Sequence, residues 1–248
     1  MRIKFSKIMA KNDMNVRIVS VLFILLPLFS FSQGAQDYYN AAMIKFVSKR
    51  YSESIQDFSK AIKEKPGFID AYFNRGIAYE KVNMLDKAIK DYSKVIKLDP
   101  GMNEAYINRA LLYKKGKRYN LAIEDFNTAI ELRPNFAFAY LYRGDTYYEM
   151  DSLEAAANDY KLLLDLLPSY LRAHERLALI YYQQGNYEDA LTYASKLCSL
   201  NSSKASNFVL RAKILIALKR LEPACKDIKH AIEMGSEEAK KLSSQNCK

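Results

Sequence analysis

Hydrophobic positions recur along this chain in six blocks that overlay at an interval of 34 without a gap. A large, mostly aromatic residue opens each block at Tyr38, Tyr72, Tyr106, Tyr140, His174 and Phe208. Four places on stands a small one, at Ala42, Gly76, Ala110, Gly144, Ala178 and Ala212. Three further on come Lys45, the run Tyr79, Tyr113, Tyr147 and Tyr181, and Leu215. The second half of each block has its own small column, from Ser54 and Ala88 to Ala224, and four residues later Phe58, Tyr92, Phe126, Tyr160, Ala194 and Ile228. Spacings of 3, 4 and 7 put these residues on one stripe, so each block predicts two amphipathic helices. Small residues at the crossing let the two helices approach, and the rings fill the space beside them. Pro66, Pro100, Pro134 and Pro168 close the first four blocks, where the ring stops a helix, and Ser202 and Ser236 stand there in the last two. One such pair cannot bury its apolar face alone, so neighbours must stack. The period predicts an all-α solenoid of helix–turn–helix units whose activity is binding.

Segments such as Ala71-Tyr72-Phe73-Asn74-Arg75-Gly76-Ile77-Ala78-Tyr79 and Ala105-Tyr106-Ile107-Asn108-Arg109-Ala110 resemble the first helix of the tetratricopeptide repeat family. The resemblance covers residues 35–236, as units 35–68, 69–102, 103–136, 137–170, 171–204 and 205–236, with 237–248 as a C-terminal capping segment. Tyr stands where the family usually has Trp, and Arg75, Arg109 and Arg143 where it has Leu. The resemblance implies a right-handed α-solenoid whose first helices line a concave groove. The partner-binding candidates are then Phe73, Asn74, Ile77, Ile107, Asn108, Leu111, Leu141, Tyr142, Asp145, Tyr148 and Tyr182, with Glu175, Arg176 and Leu179 beside them. Repeated amides over an apolar floor suit the backbone and side chains of an extended peptide. The same apolar residues would also serve as packing between repeats. Exposed tyrosines in the third to fifth units would instead suit a glycan or cell-wall ligand. The chaperone-binding subset of the family grips a terminal carboxylate with Lys, Asn and Arg. Here Tyr39, Met43, Phe73, Glu104, Phe138 and Tyr142 occupy places such a clamp needs, so that activity is not implied.

One charged pattern is regular. Asp57, Asp91, Asp125 and Asp159 each precede the aromatic residue of a second helix, and Arg75, Arg109 and Arg143 follow the first three by 18 residues. The family's architecture packs those helices side by side, so the expected structural ion pairs are Asp57–Arg75, Asp91–Arg109 and Asp125–Arg143. The Arg fork holds a carboxylate at two points. Leu177 ends the series opposite Asp159.

The chain opens with Arg2, Lys4, Lys7, Lys11 and Arg17 before an apolar run of 14 residues, Ile18 to Phe31, interrupted by Pro27. That is short of the about 20 residues a membrane span needs. Ser30 and Ser32 are small residues placed for signal peptidase, so residues 1–32 are expected to be a signal peptide cleaved before Gln33, leaving no stable membrane span. An uncleaved anchor is the alternative, Met14 is a second candidate start, and no cysteine sits at the junction to take a lipid. The protein is then exported, periplasmic or secreted. Without the leader the formal charge of +10 falls to +6, with 33 basic and 27 acidic residues interspersed along the helices. No block of five like charges occurs, whereas nucleic-acid binding would want a clustered stripe, so no nucleic-acid partner is expected.

Of the three cysteines, Cys225 falls early in the last second helix and Cys247 beyond a short helix after Gly235-Ser236. If that helix folds back as a cap in an oxidising compartment, the two can pair; the alternative is two unpaired thiols. Similar bacterial repeat proteins with an Ala-Cys-Lys-Asp opening and a terminal Cys carry the same implication. Cys198 is expected to be a buried small apolar residue. No Gly-rich phosphate loop, nucleophile elbow or His-Glu-x-x-His occurs, and the repeats leave no room for a second domain. No enzyme activity, cofactor or metal is expected.

Overall fold

The computed structural model describes residues 34–247, and the expected leader, 1–32, lies outside them. Every regular element among the described residues is an α-helix. The described residues divide into two compact units that part between Asp99 and Pro100. In the first, α1 (34–47) is followed by α2 (Tyr51–Glu64), α3 (Ile69–Lys81) and α4 (Leu85–Leu98). The second holds α5 (Asn103–Lys115), α6 (Tyr119–Leu132), α7 (Ala137–Glu149), α8 (Leu153–Leu166), α9 (Leu171–Gln183), α10 (Tyr187–Leu200), α11 (Ala205–Ala217), α12 (Leu221–Glu233) and α13 (Glu237–Asn246). Within each unit consecutive helices pack on one another, which is the helix-pair array the period predicts. No helix among the described residues is long and apolar enough to cross a membrane.

Two devices repeat at the ends of the helices. Each first helix ends in a left-handed residue, at Lys49, Asn83, Lys117, Asp151, Gly185 and Lys219, with φ between 57° and 77°. The next residue's N–H then reaches back to the carbonyl five residues earlier, as from Arg50 to Lys45, Met84 to Tyr79 and Arg118 to Tyr113, each at 2.8 Å. This pairing satisfies a carbonyl the helix end would leave open and reverses the chain in three residues. The four prolines sit in the loops after the second helices.

The core is built from the columns. Phe58, Tyr92, Phe126 and Tyr160 are fully buried, each contributing about 1.5–3 kcal/mol of apolar burial. Their size is matched across the crossing. Phe58 and Phe126 face repeats with Ala42 and Ala110, whereas Tyr92 and Tyr160 occur with Gly76 and Gly144. A Cβ on Gly76 would stand 2.8 Å from a ring carbon of Tyr92, and one on Gly144 3.2 Å from that of Tyr160.

The aspartates and arginines pair, but not as expected. Arg75 holds Asp91 through Nε (2.8 Å) and Nη2 (2.7 Å), and Arg109–Asp125 and Arg143–Asp159 repeat that geometry. Arg211–Asp227 adds a pair outside the expected series. The expected Asp57–Arg75, Asp91–Arg109 and Asp125–Arg143 pairs are therefore replaced by pairs within one repeat, 16 residues apart. Residues two apart on a helix point about 200° from each other. Asp57 thus faces back to its own first helix, where it takes Lys45, while Ser59 faces forward and accepts from Arg75 Nη1 at 2.9 Å. Asn127 does the same for Arg143 at 2.7 Å. Burial works against the charge on Arg75, but Asp91 outweighs it and raises the guanidinium. Burial raises the Asp91 and Asp159 carboxyls, with the arginines opposing. In the fifth repeat buried Leu177 and half-buried Tyr193 occupy the two places instead of an ion pair.

At the C-terminus Ser236 caps α13 by accepting from the Ala239 amide at 3.2 Å. Ala239 and Leu242 pack against the cluster of Phe208, Ala212, Ile228 and Ala231. A disulfide joins Cys225 of α12 to Cys247, with Cα atoms 5.7 Å apart. Cys198 is buried and free, and burial pushes its thiol up to about 11.

Candidate functional site

Residues on the outward side of each first helix form the candidate site, and each unit carries its own share. In the first unit, Phe73, Asn74 and Ile77 are half-buried along α3. Phe73 rests on Tyr92, with ring centroids 5.7 Å apart. The Asn74 amide is already engaged: it donates to the Tyr39 hydroxyl at 3.1 Å and to the Asp70 carbonyl at 2.9 Å. Its carbonyl oxygen is what remains for a ligand.

In the second unit α5, α7 and α9 supply the rest. Asn108, Leu111, Tyr142, Tyr148 and Tyr182 are half-buried and reachable. Ile107, Leu141 and Asp145 are not: they are 6%, 3% and 5% exposed. Ile107 belongs to the core around Phe126, and Leu141 to the core around Tyr160, so the two form the support beneath the face. Their helical spacing placed them next to the face, and only the depth of the neighbouring rings decides which side of the boundary they fall on. Asp145 accepts from the Tyr160 hydroxyl at 2.7 Å and pairs with Arg172 at 2.8 Å. Burial and the Asp145 carboxylate together push the Tyr160 hydroxyl up, so it stays a donor.

Three residues outside the core candidate set complete this face. Phe138, 39% exposed, sits among Phe136, Tyr142 and Tyr170 at centroid distances of 6.0–6.3 Å. Arg172 and Arg176 lie one turn apart on α9. The Arg176 guanidinium stands 4.5 Å over the Tyr148 ring and makes no ion pair among the described residues. Sequence singles out Arg176 by its place on the first helix, but nothing in the columns marks Arg172. The face therefore offers an aromatic platform, an amide at Asn108 and a cation at Arg176. This suits non-covalent capture of an extended segment with apolar and acidic side chains. Among the described residues no group of three or more His, Cys, Asp and Glu could hold a metal ion. His174 spends Nε2 on the Pro168 carbonyl at 2.8 Å, in the core.

Several solved structures share this architecture. The crystal structure of MamA protein aligns with a TM-score of 0.66 at 23% identity, over 70% of this chain and 95% of that one. YrrB, described as a TPR protein with an unusual peptide-binding site, aligns at 0.65 and 19% identity, over 75% and 97%. PilW, described as a widely conserved type IV pilus biogenesis factor, aligns at 0.61 and 22% identity, over 84% and 97%. No curated protein matches the sequence. Tetratricopeptide repeat family models match residues 69–102, 104–136 and 141–205, just over half of the chain. With the helix pairs, the column packing and these matches together, the chain belongs to the tetratricopeptide repeat family.

Proposed function

We propose that this protein is a non-enzymatic adaptor of the cell envelope that holds a segment of another protein on its first-helix face. The observation that carries the reading is the second unit's platform of Phe138, Tyr142 and Tyr148 with Arg176 beside it, lacking a carboxylate partner among the described residues. An apolar side chain settles on Phe138 and Tyr142, an acidic one meets Arg176 above the Tyr148 ring, and the Asn108 amide bonds the segment's backbone. The peptide-binding site named for YrrB, a protein of similar fold, supports the same use of the array. Export rests on the basic and apolar leader and on the Cys225–Cys247 pair, which persists in an oxidising compartment. A glycan reading needs open ring faces. Tyr148 lies beneath Arg176 and Tyr182 packs on Tyr187, which favours the peptide.

The test is capture from envelope extract by the processed protein and by a Phe138→Ala, Arg176→Ala variant. Both side chains are exposed or half-buried, so the variant should melt with the parent. A discrete protein retained by the parent and lost, by tenfold or more, with the variant is the expected result. Equal capture by both would overturn the assignment of this face.

A further inference from the structure

Among the second helices, α4 carries its charge differently. It presents Lys87, Lys90, Lys94 and Lys97 at spacings of 3, 4 and 3. That places four ammonium groups in an arc of about 80° along about 15 Å of helix. The opposite side buries Ala88, Ile89, Tyr92 and Val95. Lys87, Lys90 and Lys97 are exposed and Lys94 is half-buried. None of the four makes an ion pair among the described residues. Asp91, on the same helix, is committed to Arg75. The corresponding residues are Glu53, Gln56, Lys60 and Lys63 in α2, Leu121, Glu124, Thr128 and Glu131 in α6, and Ala155, Asn158, Leu162 and Asp165 in α8. The stripe is thus no property of the repeat, and this row of like charges has no carboxylate partner among the described residues, Lys87 and Lys94 meeting only the faces of Tyr79 and Tyr72.

We propose that this face of α4 docks the protein on the surface of an anionic lipid bilayer. Lysine ammonium groups on flexible stems ask for charge but no fixed acceptor geometry, unlike the arginine fork, and a straight row of them matches a plane of headgroups. Each lysine brought to such a surface raises partitioning about fivefold. A single-stranded nucleic acid would want open rings to stack on. Tyr72 and Tyr79 do not offer them, because Arg75 covers both at 5.4 and 5.7 Å while Lys94 and Lys87 lie over the same rings. An acidic protein would want an apolar centre to the patch, and residues 85–98 include no exposed large hydrophobic side chain.

The experiment is co-sedimentation of the protein with phosphatidylcholine vesicles, with and without phosphatidylglycerol. It compares the parent with a Lys87→Gln, Lys90→Gln, Lys94→Gln, Lys97→Gln variant. A control removes the same charge elsewhere, by Lys196→Gln, Lys219→Gln, Lys229→Gln and Lys241→Gln. All share one N-terminus, so any contribution of the apolar run 18–31 appears on both kinds of vesicle. The expected result is binding that needs phosphatidylglycerol, is released by salt, and falls about a hundredfold or more in the α4 variant but only a few-fold in the control. Equal binding to both vesicle types, equal losses in both variants, or no binding would overturn the proposal. So would lysine-dependent binding to polyglutamate or duplex DNA without binding to the anionic vesicles. Superimposable melting curves for the three proteins exclude misfolding as the cause.

Discussion

At Gly76 the helix crossing has no room for a Cβ, because the Tyr92 ring stands 2.8 Å from where it would go, and at Gly144 a Cβ would press on Asp159 Cβ at 3.1 Å and the Tyr160 ring at 3.2 Å. The Tyr92 hydroxyl donates to Glu80 and the Tyr160 hydroxyl to Asp145, and these bonds hold the rings in place. Gly76→Ala is expected to cost about 1–3 kcal/mol by overpacking. Adding Tyr92→Phe frees the ring from Glu80 and reconstitutes the alanine–phenylalanine combination of Ala42 with Phe58 and Ala110 with Phe126. The double variant should then lose less than the two single losses combined, a non-additivity that a urea-unfolding cycle reads directly. Both columns were legible in the sequence. Their covariation, Gly with Tyr and Ala with Phe, becomes interpretable only once the distance across the crossing is known.

Within one helix pair, a buried carboxylate is tied to the arginine across the turn. Asp159 is almost wholly buried and Arg143 is its ion-pair partner. Arg143→Leu leaves that charge uncompensated and is expected to cost about 3–5 kcal/mol in urea unfolding. Arg143→Leu with Asp159→Tyr installs the arrangement the fifth repeat already uses at Leu177 and Tyr193, and should recover most of the loss, since well-packed apolar replacements of buried ion pairs are often neutral. Recovery of less than half would show that the pair is tuned to its repeat. The residues of these pairs were visible as columns, but Arg75, Arg109 and Arg143 each have one aspartate 18 residues before and another 16 after. Sequence spacing allows either. The direction in which Asp and the residue two places on face from the helix decides it, and that follows from packing.

For the whole molecule, the decisive questions are how the array ends and which surface it offers. The Cys225–Cys247 bond closes a loop of 22 residues and fastens α13 over the cluster at the C-terminal end. Cys247→Ser should lower stability by about 3 kcal/mol on the chain-entropy model. Because each repeat touches only its neighbours, hydrogen exchange should show α13 losing protection while α5 to α8 keep theirs. Uniform loss along the second unit would contradict that. The fold class was legible because period and pattern agree from repeat to repeat. The binding face was legible only in outline: Ile107, Leu141 and Asp145 share the helical side of Asn108 and Tyr142, and ring depth alone hides them. The left-handed turn residues have a consequence of a different kind. Five of the six are lysine, asparagine or aspartate in a conformation that glycine adopts freely, at about 1 kcal/mol each. This reserve lies unused at exposed positions of the turns. Glycine at Lys49, Lys117 and Lys219 would draw on it repeat by repeat, hardening the scaffold for engineering while leaving its recognition chemistry as evolution shaped it.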